Sequence, residues 1–173
     1  MHEFDPLFSP KSDRISADSP DPIIREIAAL LASRPLSPFA RSIGVRMVDC
    51  GSSNDVELEE GLTNSPQVDC ERFGIHYVAS PRHADVIICT GPVSVNMKLA
   101  LEKSFLAMPK PNAVVAAGDG ACNGGPLSGA HGVYKTGRIE DVIPVDVKVL
   151  GNPPSPYALC LGILKAGALI AKK

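Results

Sequence analysis

Five short runs in this chain read as strands, several of them apolar almost without interruption, and they alternate with segments of helical periodicity. The runs are GVRMVDC, HYVAS, DVIICTG, AVVAAGDG and IPVDVKVLG, all from about residue 44 onward. A strand with one wet face alternates apolar and polar residues. A run that stays apolar is expected of a strand covered on both faces of a parallel sheet. Between the runs, VNMKLALEKSFLAM places Met97, Leu101, Phe105 and Met108 on one side of a helix. SPYALCLGILKAGALIAKK reads as the closing helix with Ser155 as its cap. Ahead of the strands, DPIIREIAALLASR sets Ile23, Ile27, Leu30 and Leu31 on one face, behind an Asp21 cap and a proline at the first helical position. Strands alternating with helices predict an α/β fold, a doubly wound and mainly parallel sheet with flanking helices.

Length and charge narrow the class. A chain of 173 residues is one domain by size and large enough to bury a genuine core. The division expected is a flexible tail over 1–20, an amphipathic helix and linker over 21–40, and the α/β domain over 41–173. A net charge of −2, with no basic stripe interleaved with aromatics, excludes a nucleic-acid partner. No apolar run approaches the roughly 20 residues of a membrane-spanning helix. The opening MHEFDPLFSPKSDR is acidic and broken by proline, unlike a secretory signal. The five cysteines (Cys50, Cys70, Cys89, Cys122, Cys160) are then expected to be reduced thiols in a cytoplasmic protein. Cys89 and Cys160 lie in apolar runs, where cysteine usually behaves as a small hydrophobe.

In doubly wound sheets ligands sit beyond the carboxyl ends of the strands. Three loops leave such ends: CGSSN after GVRMVD, GDGACNGG after AVVAA, and GNPPSP after VDVKVL. They are far apart in sequence and are expected to converge. The glycine-rich second loop lacks both the Walker lysine and the G-x-G-x-x-G spacing, so it is a weak phosphate signal. Cys122 followed by His131 invites a thiolate–base reading, but no third orienting residue is evident. Arg82 and His83, in SPRHADV, read as turn residues ahead of a strand.

These loops and their flanks resemble the small-subunit family shared by the 20 kDa (B) subunit of respiratory complex I and the membrane-bound NiFe hydrogenases. The similarity is nearest to the energy-converting and formate hydrogenlyase-type hydrogenases. It runs from about residue 40 to the end. CERFGIHYVASPRHADVIICTGPVSVNMKLAL, MPKPNAVVAAGD, Gly124-Gly125, GVYKTGRIEDVIPVDVKVLG and PPSPYAL occur in the family order. The resemblance implies a flavodoxin-like fold. It also implies a 4Fe–4S cluster held by cysteines of the three loops, in G-S-C-N-G-C-E, C-A-x-x-G-G and G-C-P-P. Here the four ligand positions are Ser53, Val56, Gly120 and Asn152. Complex I subunits use adjacent cysteines in the first loop, an arrangement absent here as well.

Clusters are held by thiolates, with an occasional substitute at one position. Val56 has no donor atom and Gly120 no side chain, so no cofactor is expected at the family position. The gap is expected to be filled by side chains such as Val56. Cys50, Cys70 and Cys122 are the candidates for a displaced metal site, although none of their spacings is a metal signature and C-x-x-C does not occur. Glu57 matches the glutamate after the second family cysteine, which is implicated in proton movement. Arg72 matches a family arginine near the cluster, and here pairs by expectation with Glu71, Asp69 or Glu57.

The resemblance implies, as partners, a hydrogenase large-subunit-like or complex I 49 kDa-like subunit and membrane antiporter-like subunits. It implies a peripheral place on the cytoplasmic face of the inner membrane. The reading is a cluster-less structural and proton-coupling subunit, docking through residues 22–33, SPFARS and the C-terminal helix. One alternative is a redox subunit with a displaced 4Fe–4S cluster. Another is a free-standing flavodoxin-like module that binds a small anion at the three loops.

Overall fold

The computed structural model describes residues 20–33, 42–126, 128 and 137–172. The expected tail up to residue 19, most of SPFARS, and His131 lie outside the described residues. The first helix, α1 (Pro22–Ala32), starts where the sequence places it: the Asp21 carboxylate accepts from the Ile23 N–H at 2.8 Å. Its apolar stripe packs within this chain. Ile27 is fully buried, and Ile23, Leu30 and Leu31 pack on the same core, against the C-terminal helix. Burying Ile27 alone contributes about 2 kcal/mol over leaving it in water.

The remaining elements follow in order. They are β1 (Ile43–Asp49), α2 (Asp55–Leu62), β2 (Ile75–Tyr77), β3 (Val86–Thr90), α3 (Val95–Ala107), β4 (Ala113–Ala117), α4 (Asp119–Asn123), β5 (Val147–Val149) and α5 (Pro156–Ile170). Short 3₁₀ turns occupy Cys70–Phe73, Pro81–His83 and Ile139–Asp141. The five strands form one sheet in the order β2-β1-β3-β4-β5, with every pairing parallel. This is the flavodoxin-like arrangement, and its direction of winding reverses between β1 and β3.

Every residue of β3 and β4 is buried, as their unbroken apolar runs require. Alternate residues feed two layers. Val45, Val86, Ile88, Val115 and Ala117 face α1 and α5, with Leu159, Ile163 and Ile170. Ile87, Cys89, Val114 and Ala116 face α3, with Leu101 and Met108. The predicted stripe of α3 is thereby confirmed, with Met97 and Phe105 at its margin. Along α5 the approach to the sheet is close. A Cβ at Gly162 would stand 2.3 Å from Val149 Cγ2, so only glycine lets this helix lie where it does.

Two helices are missing from the sequence reading, which took GDGACNGG as a loop and assigned no element to DVELEEGL. Helix α4 is five residues long and sits inside GDGACNGG. Helix α2 is inverted in pattern: its leucines, Leu58 and Leu62, are 64% and 50% exposed, while Val56 and Glu60 are buried. A buried glutamate and two exposed leucines cancel the amphipathic signal that periodicity detects.

Candidate functional site

A pocket of about 580 Å³ opens at the carboxyl ends of the strands. Ser53 and Val56 line it from the first loop and α2, Gly120 from α4, and Asn152 from the loop after β5. The tertiary structure thus brings together all four positions that the sequence spreads over a hundred residues. A fourth loop, absent from the sequence reading, adds Gly91 and Pro92 after β3. Its signal was available, because β3 ends at the point where the sheet reverses direction.

Backbone chemistry holds the rim. Beyond β1, the Asp49 carboxylate accepts from the N–H groups of Gly51 (2.8 Å) and Ser52 (2.9 Å), closing the first loop on itself. Gly91 lies against that loop at φ +66°, and a Cβ there would be 2.4 Å from the Ser52 backbone. Glycine is required at this contact. The second and third loops are tied reciprocally. Gly151 donates to the Asp119 carboxylate at 3.0 Å, and Asp119 N–H donates to the Gly151 carbonyl at 2.9 Å.

Val56 is 3% exposed and packs into the core, with Gly118 against its methyl group. It forms part of the pocket wall and does not fill the space, contrary to the expectation that side chains close the gap. Ser53 Oγ is committed to the Asp55 carboxylate at 2.8 Å. With one hydroxyl, one amide, one apolar side chain and one glycine, these four positions do not fit a 4Fe–4S cluster, which needs thiolates. Among the described residues the lining carries two carboxylates, Asp55 and Asp119, and no cation. That balance opposes the small-anion reading.

The thiols lie elsewhere. All five cysteines are buried and free. Cys50 and Cys122 belong to the layer under α3, whereas Cys70 lies in the opposite layer, so the sheet separates them. Their sulfurs point to protein acceptors: Cys122 Sγ donates to the Ala116 carbonyl at 3.3 Å, and Cys70 Sγ to Asn64 Oδ1 at 3.2 Å. Burial pushes the Cys122 thiol up to about 11, and the Cys70 thiol is raised by the same cause. Both shifts oppose the thiolate that a metal would bind. Among the described residues no group of three His, Cys, Asp or Glu side chains is placed to hold a metal ion.

Glu57 sits directly behind the pocket wall. One carboxylate oxygen accepts from Ser52 Oγ at 2.6 Å, and the other accepts a short hydrogen bond from Thr90 Oγ1. Thr90, fully buried at the end of β3, is a partner that sequence reasoning missed. Arg72 does not reach Glu57, Glu71 or Asp69 as an ion pair. Its guanidinium lies 4.8 Å from the centre of the Phe73 ring, and its Nε is buried without a hydrogen-bond partner among the described residues. Arg82 and His83 occupy the exposed 3₁₀ turn, where Ser80 Oγ accepts from the Arg82 N–H at 3.3 Å.

Glu60 was not singled out from the sequence. It is 5% exposed, one turn beyond Glu57 on α2. Burial pushes its carboxyl up to about 7, the Tyr77 hydroxyl and Arg46 pull it down, and the Glu57 charge adds to the rise.

Known proteins match this architecture. The profile of the NADH ubiquinone oxidoreductase 20 Kd subunit family matches residues 50–166. Formate hydrogenlyase subunit 7 of Escherichia coli K12 is 36% identical over 154 residues, covering 89% of this chain and 59% of its own length. This chain therefore spans little more than half of that relative. The probable membrane-bound hydrogenase subunit mbhJ of Pyrococcus furiosus is 36% identical, covering 78% of this chain and 79% of its own. The NADH-quinone oxidoreductase (B) subunit of Heliobacterium modesticaldum is 33% identical, covering 91% and 89%. Among solved structures, a chain of the archaeal membrane-bound sulfane sulfur reductase superposes with a TM-score of 0.65 at 28% identity, over 77% of this chain and 72% of that one. No helix among the described residues is long and apolar enough to cross a membrane. With the family profile matched over most of its length and its loops converging at the sheet's reversal point, this chain belongs to the family of the complex I 20 kDa subunit and the hydrogenase small subunits.

Proposed function

We propose that this chain is a structural and proton-coupling subunit of a complex I-like or membrane-bound hydrogenase-like assembly, and that it carries no 4Fe–4S cluster. The observation that supports this most is the pocket itself, where all four family ligand positions meet with no thiolate among them. Its relatives are named as subunits of membrane-bound hydrogenase and NADH-quinone oxidoreductase, which supports a peripheral place in such an assembly. We assign it to the cytoplasmic face, between a large catalytic-type subunit and antiporter-like membrane subunits. The exposed Leu58 and Leu62 of α2, beside the pocket, supply an apolar edge for the large subunit.

Glu57 is the proton-carrying group in this reading. It lies behind the pocket wall between two hydroxyl donors, so a proton arriving from the pocket meets a carboxylate already oriented by Ser52 and Thr90. The test is iron and acid-labile sulfide in the anaerobically purified complex, assigned by subunit. Near-zero iron on this chain supports the reading. About four irons and four sulfides on it would overturn the cluster-less assignment.

A further inference from the structure

Helix α2 turns a glutamate into the core where its spacing calls for an apolar residue. Glu60 follows Val56 by one turn on the buried face and is 5% exposed. Its Oε2 has no hydrogen-bond partner among the described residues. Several groups face it. Glu57 comes from its own helix, Arg46 from β1 and Tyr77 from β2. Thr63 Oγ1, at the end of α2, lies 3.2 Å from the Tyr77 hydroxyl and donates to the Glu60 carbonyl at 2.6 Å. Cys70, in the 3₁₀ turn, and Cys160, on α5, act on Tyr77 from the far side, with Arg72 beside Cys160. Arg46 forms no ion pair with Glu60.

Glu57 and Glu60 therefore live in opposite surroundings. Both oxygens of Glu57 accept hydroxyl hydrogen bonds, an arrangement that uses it as an acceptor only, as a carboxylate. Glu60 has one oxygen that nothing serves, and burial outweighs the support that the Tyr77 hydroxyl and Arg46 give its charge. We propose that, of Glu57 and Glu60, it is Glu60 that holds a proton near neutral pH. The negative charge of Glu57 helps keep the proton on Glu60, so neutralising Glu57 at the pocket loosens the inner proton. The pair places a second proton-holding group one helical turn inside the domain. Its use in proton movement rests on the role assigned to Glu57 above, whereas the proton on Glu60 does not.

The test is infrared spectroscopy of the full chain, titrated from the acid to the alkaline side of neutrality. The expected result is a neutral-carboxyl C=O band that persists at neutral pH and vanishes in E60Q. In E57Q its midpoint should move to lower pH by some tenths of a unit or more. No neutral-carboxyl band at neutral pH in the parent chain would overturn the proposal, as would a band unaltered in E60Q. If E60Q does not fold, carbon-13 NMR of glutamate carboxyls in the parent decides. One glutamate titrating near neutrality supports the proposal, and all of them titrating in the ordinary range of about 4 refutes it. A present band together with unchanged proton translocation in an E57Q complex would leave Glu60 as assigned and remove the proton-coupling role of Glu57.

Discussion

The rim of the strand-end pocket and the interior of the sheet divide the chemistry of this chain between them. The rim carries the four family ligand positions with no thiol, shaped by backbone bonds to Asp49 and Asp119 and by the glycine at position 91. The interior holds every cysteine, buried and hydrogen-bonded to protein acceptors or set in apolar layers. The shape of the site thus does not depend on thiols at its rim. Its walls are set by the aspartates and close glycine contacts that fix the loops.

Restoring thiols to the rim is the strongest way to break this contrast. The variant S53C/V56C/G120C/N152C, reconstituted anaerobically with iron and sulfide, is expected to take up about four irons per chain. The Gly120 substitution needs a small adjustment, since its Cβ would stand 3.0 Å from Pro92 Cδ. A folded variant that stays free of iron would show that the pocket no longer has the family geometry.

Reactivity of the interior thiols tests the other side. Burial raises Cys122 to about 11 and Cys160 to about 12, from an ordinary value of 9.0. At pH 8 their thiolate fractions should fall roughly 100-fold and 1000-fold below those of the unfolded chain. Alkylation followed by peptide mass mapping should be slower in native protein by at least those factors. Rapid native labelling of Cys122 would place it outside the interior.

The smallest effect concerns stability. Glu60 has its carboxyl raised from 4.5 to about 7 in the folded state, so between those values the native chain holds more proton than the unfolded one. Stability then falls as pH rises through that window and levels off above it, by roughly 3 kcal/mol at most. Denaturant unfolding of E60Q should lack this slope. A parent chain equally stable at pH 5 and pH 8 would contradict the ionisation assigned to Glu60.

The sheet was legible in the sequence because burial on both faces writes itself as unbroken apolar runs. DVIICTG and AVVAAGDG contain β3 and β4, and the caps at Asp21 and Ser155 sit where their side chains serve free N–H groups. Helix α2 was not legible, since its buried face carries Glu60 and its leucines face outward. Part of the site was legible too. Strand-end loops converge in any doubly wound sheet, so three of the four walls follow from the order of the elements.

What residue identity alone determined is an absence of donor atoms at two of the four positions: Val56 and Gly120 bind nothing through their side chains in any fold. What only the tertiary structure decided is which groups meet. It joined Glu57 to Thr90 across 33 positions of sequence, parted Cys70 from Cys50 and Cys122 by the thickness of a sheet, and buried Glu60 against Tyr77. Donor chemistry belongs to the residue, whereas ionisation and contact depend on the surroundings that packing supplies.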